Sequence, residues 1–133
     1  MADPIGTNTA YQSAIECILG VKGQTLSVGA YADVEVPWNC SVFRWTMVAD
    51  QSGSSVVDVL LTPYESFDDV THPVSPGDSI AGGSPPTISG DVKARDTALL
   101  NWSRSLTAGR ILRFILNSVA AQQQITVSLE VFR

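Results

Sequence analysis

The chain contains a single histidine, His72, which is the first residue to consider for chemistry. It follows Asp68 and Asp69 closely, and serines are plentiful, so the residue types of a Ser-His-Asp hydrolase are present. Such a triad needs three groups that converge on a rigid scaffold. His72 instead lies in a proline-rich stretch, and the sequence has no GxSxG motif. We therefore interpret His72 as a loop residue without a catalytic role.

Other arrangements of polar residues are equally weak as signs of chemistry. The Asp68-Asp69 pair lacks the spacing of a calcium-binding loop. Asp58 with Glu65 could in principle hydrolyse a glycosidic bond, but any β protein offers such a pair. The stretch GDSIAGGSPP is rich in glycine yet lacks the lysine and the helix of a phosphate-binding loop. The sequence therefore predicts that the protein is not an enzyme and needs no cofactor.

The two cysteines, Cys17 and Cys40, leave one question open. No CxxC motif or Cys/His cluster occurs, so we expect no structural zinc and no other bound metal. A disulfide between them is possible, although nothing in the sequence requires it, and two reduced thiols on strands are the favoured interpretation.

Composition excludes several classes of protein. A net charge of −5, with eight basic residues scattered singly, argues against nucleic-acid binding. No segment approaches the roughly 20 apolar residues that a membrane span requires, and the N-terminus lacks the pattern of a secretory signal. Charged residues make up only 16% of the chain, below the roughly 25% usual in soluble domains. A surface so poor in charge favours extensive contact with a partner or with copies of the same chain.

The elements that must position any site are strands, because apolar residues recur with a period of two. Around Trp45, residues 41–49 alternate, and residues 57–61 alternate again after the stretch ADQSGSS. We interpret Asp50-Gln51-Ser52-Gly53 within it as the turn of a hairpin, because Gly53 is able to take a positive φ. One predicted core takes its residues from four strands: Phe43, Trp45, Val57, Val59, Leu112, Phe114, Val127 and Leu129.

The remaining pattern predicts an all-β fold, an antiparallel β-sandwich or jelly roll of about seven or eight strands. Residues 14–19 and 24–28 read as a hairpin, residues 32–36 and 99–102 as further strands, and Arg113 is expected to point outward from its strand. Residues 62–95 hold five of the seven prolines and are predicted to be one long loop, with short helical turns at most at 65–70 and 89–93.

The first 13 residues differ from the rest, being small, polar and aperiodic. We interpret residues 1–13 as an extended N-terminal arm and residues 14–133 as a single β domain. The arm carries Ile5 and Tyr11 as its only large apolar residues beyond Met1. Because ordering such a segment is costly, we expect it to lie on a partner, where adding a strand to a neighbouring sheet would supply main-chain hydrogen bonds.

The order of motifs over roughly residues 24–133 is also familiar. The stretch VPWNCSVFRWTMVADQSGSSVVDVLL is followed by YESF, PGDSI, PPTISG, LLNW, AGRILRFILNSV and ITVSLEV. Together they resemble a small β module that is widespread among proteins of tailed bacteriophages, at tail-fibre tips and as short stand-alone virion proteins. The ADQSGS stretch with the VVDV after it and the GRILRF strand are the most specific parts.

The resemblance implies a structural protein of the virion that forms a homotrimer, and it carries over no catalytic residues. The chain has a short arm and no heptads for a fibre stem, and this layout favours a decoration (cement) protein. Such a protein is expected to bind the major capsid protein at the capsid surface, after assembly in the host cytoplasm. The alternative is a receptor-binding tip that recognises a host glycan. The expected capsid contacts in the arm are Asp3, Pro4, Ile5 and Tyr11. The expected trimer or ligand contacts are Trp38, Tyr64, Phe67 and His72.

Overall fold

The computed structural model describes residues 11–70, 72 and 75–133. Seven antiparallel strands form one curled sheet, consistent with a β-sandwich, so the predicted fold class is confirmed. The strands are β1 (Gln12–Gly20), β2 (Tyr31–Glu35), β3 (Cys40–Thr62), β4 (Thr87–Asp96), β5 (Ser105–Leu106), β6 (Ile111–Ala120) and β7 (Gln124–Phe132). Two single turns of 3₁₀ helix, Tyr64–Ser66 and Pro76–Asp78, lie in the proline-rich segment.

The sheet curls because β3 is long enough to belong to both of its halves. Residues 41–49 of β3 pair with β7, and residues 54–62 pair with β6. β6 leads into β7 through residues 121–123, so these two strands together run antiparallel to all of β3. β1 extends the half that contains β7, and β2 extends the half that contains β6. We call these halves the first and the second half of the sheet.

The two halves pack their inner faces together around one buried cluster. Seven of the eight predicted core residues are buried in it: Trp45, Val57, Val59, Leu112, Phe114, Val127 and Leu129. Phe43 is the exception, because the pairing of β3 with β7 shifts between Val42 and Arg44. This bulge buries Val42 and leaves Phe43 half-buried, stacked on Phe132 with 4.3 Å between the ring centroids.

The predicted hairpin turn at residues 50–53 was wrong, since β3 is continuous through this stretch. The strand bends here, and its register with β4 shifts on both sides of Gly53. Gly53 does not have a positive φ. Instead, a Cβ at this position would lie 2.2 Å from the carbonyl oxygen of Ala120, so glycine permits a close approach of two backbones. Polar groups also fix the bend, because the Asp50 carboxylate accepts hydrogen bonds from the backbone N–H groups of Gln123 and Gln124.

We expect Gly53→Ala to lower the free energy of unfolding by about 1–3 kcal/mol, because the new methyl group must displace the backbone at Ala120. Urea melts monitored by tryptophan fluorescence would measure the loss. Ser52→Ala, one residue away on an exposed side chain, is the matched control and should change stability by less than about 0.5 kcal/mol. Equal stability of the two variants would contradict the role assigned to Gly53.

Three further expectations about elements were wrong for related reasons. Residues 24–28 are a loop, and β1 pairs with β7 instead of forming a hairpin with them. Residues 99–102 form a turn, in which Leu99 and Asn101 have positive φ values. The predicted loop at 62–95 ends at residue 86, because β4 occupies residues 87–96 on the edge of β3. β4 is mostly exposed, so it lacks the apolar alternation that would have revealed it.

The strand β1 includes the last two residues of the predicted arm. β1 begins at Gln12, which pairs with Phe132, so residues 12 and 13 belong to the sheet. The predicted arm contacts Asp3, Pro4 and Ile5 lie outside the described residues. No helix in the described part of the chain is long and apolar enough to cross a membrane.

Candidate interaction site at the open end of the sandwich

Several of the predicted contact residues lie close together at the strand ends that are farthest from the bend in β3. Gln12 and Ser41 pair with Phe132, while Glu35 and Thr62 pair with Ile111. These pairings place residues 11, 35–40, 62–66, 107–111 and 132–133 at one end of the molecule, which we call the open end. Among the predicted contacts, Tyr11, Trp38 and Tyr64 lie at this end.

One part of the open end is a cation held between two aromatic rings. The guanidinium carbon of Arg133 lies 4.6 Å from the ring centroid of Trp38 and 5.8 Å from that of Tyr11. The backbone N–H of Arg133 also donates to the carbonyl of Tyr11 at 2.9 Å, which extends the ladder of β1 and β7 by one residue. Tyr11 is nonetheless 66% exposed and Trp38 is half-buried, so both rings present a face that a partner can contact.

Phe43 and Phe132 continue this aromatic surface onto the first half of the sheet. Phe132 directly precedes Arg133, and Arg44 lies 5.5 Å from the ring centroid of Phe43. The sequence pattern had assigned Phe43 to the core, and no local signal marked the bulge that turns it outward.

An open groove of about 600 Å³ lies at the same end. Its lining includes the 67%-exposed ring of Tyr64, the carboxylates of Glu35 and Glu65, and the guanidinium of Arg110. The other lining residues are Pro63, Thr107, Ala108 and Gly109. The groove lies close to Trp38, because the backbone of Val36 is hydrogen-bonded to two lining residues. The Val36 N–H donates to the carbonyl of Arg110, and the Val36 carbonyl accepts from the N–H of Gly109, both at 2.8 Å. Sequence reasoning missed Glu35 and Arg110, since an exposed charged residue near a strand end carries no pattern of its own.

Phe67 and His72 were predicted to be trimer or ligand contacts, and this role stays a prediction. His72 is half-buried, and its Nδ1 accepts a hydrogen bond from Nη1 of Arg113 at 3.2 Å. The ring of Phe67 lies 6.3 Å from that of His72. Both residues therefore lie against the chain's own structure on the second half of the sheet.

Arg113 itself is the largest departure from the expected pattern of outward charges. It is only 4% exposed, although it was expected to face solvent. Its guanidinium forms two hydrogen bonds with the carboxylate of Asp33, at 2.8 and 2.9 Å, and lies 3.8 Å from the ring centroid of Tyr31. The hydrogen bond with Asp33 raises the pKa of Arg113, so the buried side chain stays charged.

Two of the carboxylates that were weighed for chemistry, those of Asp58 and Asp68, form hydrogen bonds within the chain. Asp58 accepts hydrogen bonds from Ser79 and from the backbone of Val59, and it does not line the groove that holds Glu65. The carboxylate of Asp68 accepts from the backbone of Val70. Among the described residues, no three His, Cys, Asp or Glu side chains come together as a metal site.

Both cysteines are free and buried. Burial raises the pKa of Cys17 to about 12, so its thiol is protonated at neutral pH. The pKa of Cys40 is raised for the same reason.

Comparison with known proteins gives structural similarities only. No family model matches the chain, and no curated protein matches it. The chain is similar to a chain of the cyanophage Pam1 capsid asymmetric unit, with 14% identity, a TM-score of 0.44, and coverage of 99% of this chain and 91% of that one. It is also similar to the K3 cleaved adhesin domain of Lys-gingipain from Porphyromonas gingivalis, with 9% identity, a TM-score of 0.44, and coverage of 90% and 72%. A serine protease of Aeromonas sobria matches with 7% identity and a TM-score of 0.36, over 93% of this chain and 27% of that one. The function proposed below therefore rests on the residues and surfaces of this chain.

Proposed function

We propose that the chain is a structural protein of a bacteriophage virion, and that it decorates the capsid as a homotrimer bound to the major capsid protein. The observation that carries the proposal is the aromatic surface at the open end. Tyr11 and Tyr64 are each about two-thirds exposed, and Trp38 and Tyr11 both lie beside the guanidinium of Arg133. Tyrosine, tryptophan and arginine are the residues that most often supply the binding energy of protein interfaces.

Two further features of the chain support this proposal. The motifs in residues 24–133 resemble those of the phage virion module. The low proportion of charged residues, 16%, suits a subunit with much of its surface in contact with other subunits. In this proposal the protein resides on the capsid surface after assembly in the host cytoplasm, and its net charge of −5 disfavours contact with the packaged nucleic acid.

The contact assigned to the capsid is the open end, with Tyr11, Trp38 and Tyr64 as its anchors. Phe67 and His72 are not part of the open end and stay predicted trimer or ligand contacts. The contacts expected from sequence for Asp3, Pro4 and Ile5 stay predictions.

We expect the double variant Tyr11→Ala, Tyr64→Ala to bind expanded, undecorated phage heads at least about tenfold more weakly than the unchanged protein, a loss of about 1.4 kcal/mol or more. Removing the two exposed rings takes away contact area without opening a cavity in the core. Occupancy of the heads across a concentration series measures the effect. Val21→Ser, an exposed position beyond β1 at the opposite end of the sandwich, is the control and should bind normally. Unchanged binding by the double variant would move the capsid contact away from the open end.

A second candidate function is a receptor-binding tip module that recognises a host glycan. The groove at the open end favours it, because an exposed tyrosine beside Glu35, Glu65 and Arg110 offers both a stacking surface and hydrogen-bonding groups to a sugar. The copy number in purified particles separates the two functions. Hundreds of copies per particle indicate a capsid protein, whereas a handful indicate a tail protein.

A further inference from the structure

The outer face of the sheet, which points away from the buried cluster, carries an open pocket where β3 pairs with β4. Thr46 and Val48 of β3 point outward, because they alternate with buried core residues. They pair with Arg95 and Lys93 of β4, whose side chains therefore lie on the same face. The pocket has a volume of about 430 Å³ and is lined by Thr46, Val48, Asp91, Lys93, Ala94 and Arg95. Pockets for small molecules typically have volumes of about 300–1,000 Å³, so this one can hold a ligand.

The guanidinium of Arg95 is held in place by a row of hydrogen bonds that crosses three strands. Its Nε donates to Oγ1 of Thr46 at 3.0 Å, and that hydroxyl donates to Oε1 of Glu130 on β7 at 2.8 Å. Oε2 of Glu130 in turn accepts from Nη2 of Arg44 at 2.7 Å. Within the described part of the chain Nε is the one atom of Arg95 with a partner, so both Nη groups are left to bind a ligand.

The charges around the pocket leave room for one negative charge. Neither Lys93 nor Arg95 forms an ion pair with another described residue. The charge of Glu130 is balanced by its ion pair with Arg44. The one carboxylate in the lining is that of Asp91, so two cations face a single anion in a chain whose net charge is −5.

We propose that this pocket binds an acidic sugar of the uronic acid type, through its carboxylate. The two Nη groups of Arg95 bind the carboxylate oxygens, and Lys93 adds a second positive charge. Val48, which is 52% exposed, offers an apolar surface to the C–H groups of the sugar ring. The proposal goes beyond the proposed function, because the pocket lies on the side of the bend, where Asp91 pairs with Gly53, and not at the open end.

The arrangement favours a carboxylate over a phosphate, and a sugar over a protein side chain. A guanidinium with two free Nη groups matches the two oxygens of a planar carboxylate. A phosphate group carries nearly two negative charges, which the neighbouring carboxylate of Asp91 repels more strongly. The carboxylate of a protein side chain would fill only a small part of the pocket, whereas a sugar ring also covers Val48.

Titration with D-glucuronate tests the site directly. We expect it to bind the purified full chain with a dissociation constant of about 1–10 mM, as a ligand of this size allows. In ¹⁵N–¹H correlation spectra the amide signals of residues 46–48 and 93–95 should shift saturably. D-glucose has the same ring without the carboxylate and should cause no such shifts. A titration without saturable shifts at these positions overturns the proposal, as does equal binding of D-glucose.

Two further probes separate the sources of negative charge. Inorganic phosphate and acetate should both bind more weakly than D-glucuronate. Phosphate that binds as tightly would mean that the pocket takes anions in general, which overturns the carboxylate assignment. Acetate reproduces the carboxylate of an acidic protein side chain, and equal binding of acetate would overturn the assignment to a sugar.

Charge-removing substitutions locate the contact. Arg95→Gln should weaken the binding of D-glucuronate at least about tenfold, because it removes hydrogen bonds between two charged groups. Arg104→Gln is the matched control: Arg104 is also exposed, but it donates to the carbonyl of Ala98 and does not line the pocket. It should leave binding unchanged. Equal losses in the two variants would mean that overall charge is the cause and would overturn the site.

Thr46 acts as a positioning residue in this proposal. Thr46→Val keeps the shape of the side chain and removes the hydroxyl that holds Nε of Arg95. We expect faster exchange of the Arg95 Nε–H proton with water, together with weaker binding of D-glucuronate. Unchanged exchange and unchanged binding would overturn the role of Thr46.

Binding to phage heads separates this site from the proposed function. Arg95→Gln should occupy expanded, undecorated heads as the unchanged protein does, because the pocket is not part of the open end. A loss of head binding in this variant would make the pocket part of the capsid contact and would overturn its assignment to a sugar. Failure of the unchanged protein to bind heads contradicts the decoration function and leaves the sugar site standing.

Discussion

Replacing Trp45 with alanine is expected to lower the free energy of unfolding by about 3–5 kcal/mol. The side chain is only 6% exposed and lies in the buried cluster where β3 packs between β7 and β4. Because the surrounding strands are hydrogen-bonded on both sides, they cannot collapse into the space left behind, and a cavity remains. Denaturant melts of the purified variant would measure this loss.

Trp45→Phe is the matched control for this prediction. The indole N–H of Trp45 is buried and has no hydrogen-bond partner among the described residues. A phenylalanine removes this unsatisfied donor together with part of the ring. The stability gained by removing the donor offsets some of the stability lost with the buried ring area. We expect Trp45→Phe to lose less than half of what Trp45→Ala loses. A loss below about 1 kcal/mol for Trp45→Ala would mean that the side chain does not lie in the core.

The second large effect is expected at the buried ion pair between β2 and β6. Asp33→Ala should cost about 2–4 kcal/mol, since it leaves the guanidinium of Arg113 buried without its carboxylate. The Arg113 side chain is 5% exposed and the Asp33 side chain is 25% exposed. Because Asp33 is partly solvated, the expected loss of stability is smaller than for a fully buried pair. His72 and Tyr31 remain beside the charge but cannot neutralise it.

A double variant separates the loss of the pair from the burial of a charge. Asp33→Ala combined with Arg113→Met removes both charges while keeping much of the buried volume, so it should regain a large part of the stability lost in Asp33→Ala. Thermal or urea melts at two salt concentrations complete the comparison, because the stability that a buried ion pair contributes should depend little on salt. If the double variant is as unstable as Asp33→Ala, the unpaired charge is not the cause of the loss.

The structure also changes the interpretation of the proline-rich segment. The sequence predicted that residues 62–95 form one long loop, with Tyr64, Phe67 and His72 as trimer or ligand contacts. In the fold, β4 takes up the end of this segment, and Phe67 and His72 lie against the chain's own structure around Arg113. The proposed capsid contact depends on the open end, with Tyr11, Trp38 and Tyr64.

The candidate site was only partly predictable from sequence. Tyr11, Trp38 and Tyr64 were identified as aromatic residues outside the regular alternation, and the structure brings all three to the open end. Glu35, Arg110, Phe43 and Phe132 were missed. Their places in the site depend on strand pairing and on a β-bulge, which are contacts between residues far apart in sequence.

The sequence by itself determined the all-β class and most of the core, because the alternation of apolar residues is a local property of a strand. Leu112, Phe114, Val127 and Leu129 are buried as their alternation predicts. Only the tertiary structure decided where strands begin, bend and pair. Gly53 looked like a turn residue, yet its lack of a Cβ serves a close backbone contact with Ala120, a residue 67 positions away that no local pattern can reveal. Arg113 looked solvent-facing because its alternation is correct, and it is buried because Asp33 and His72, from distant parts of the chain, cover and pair with it.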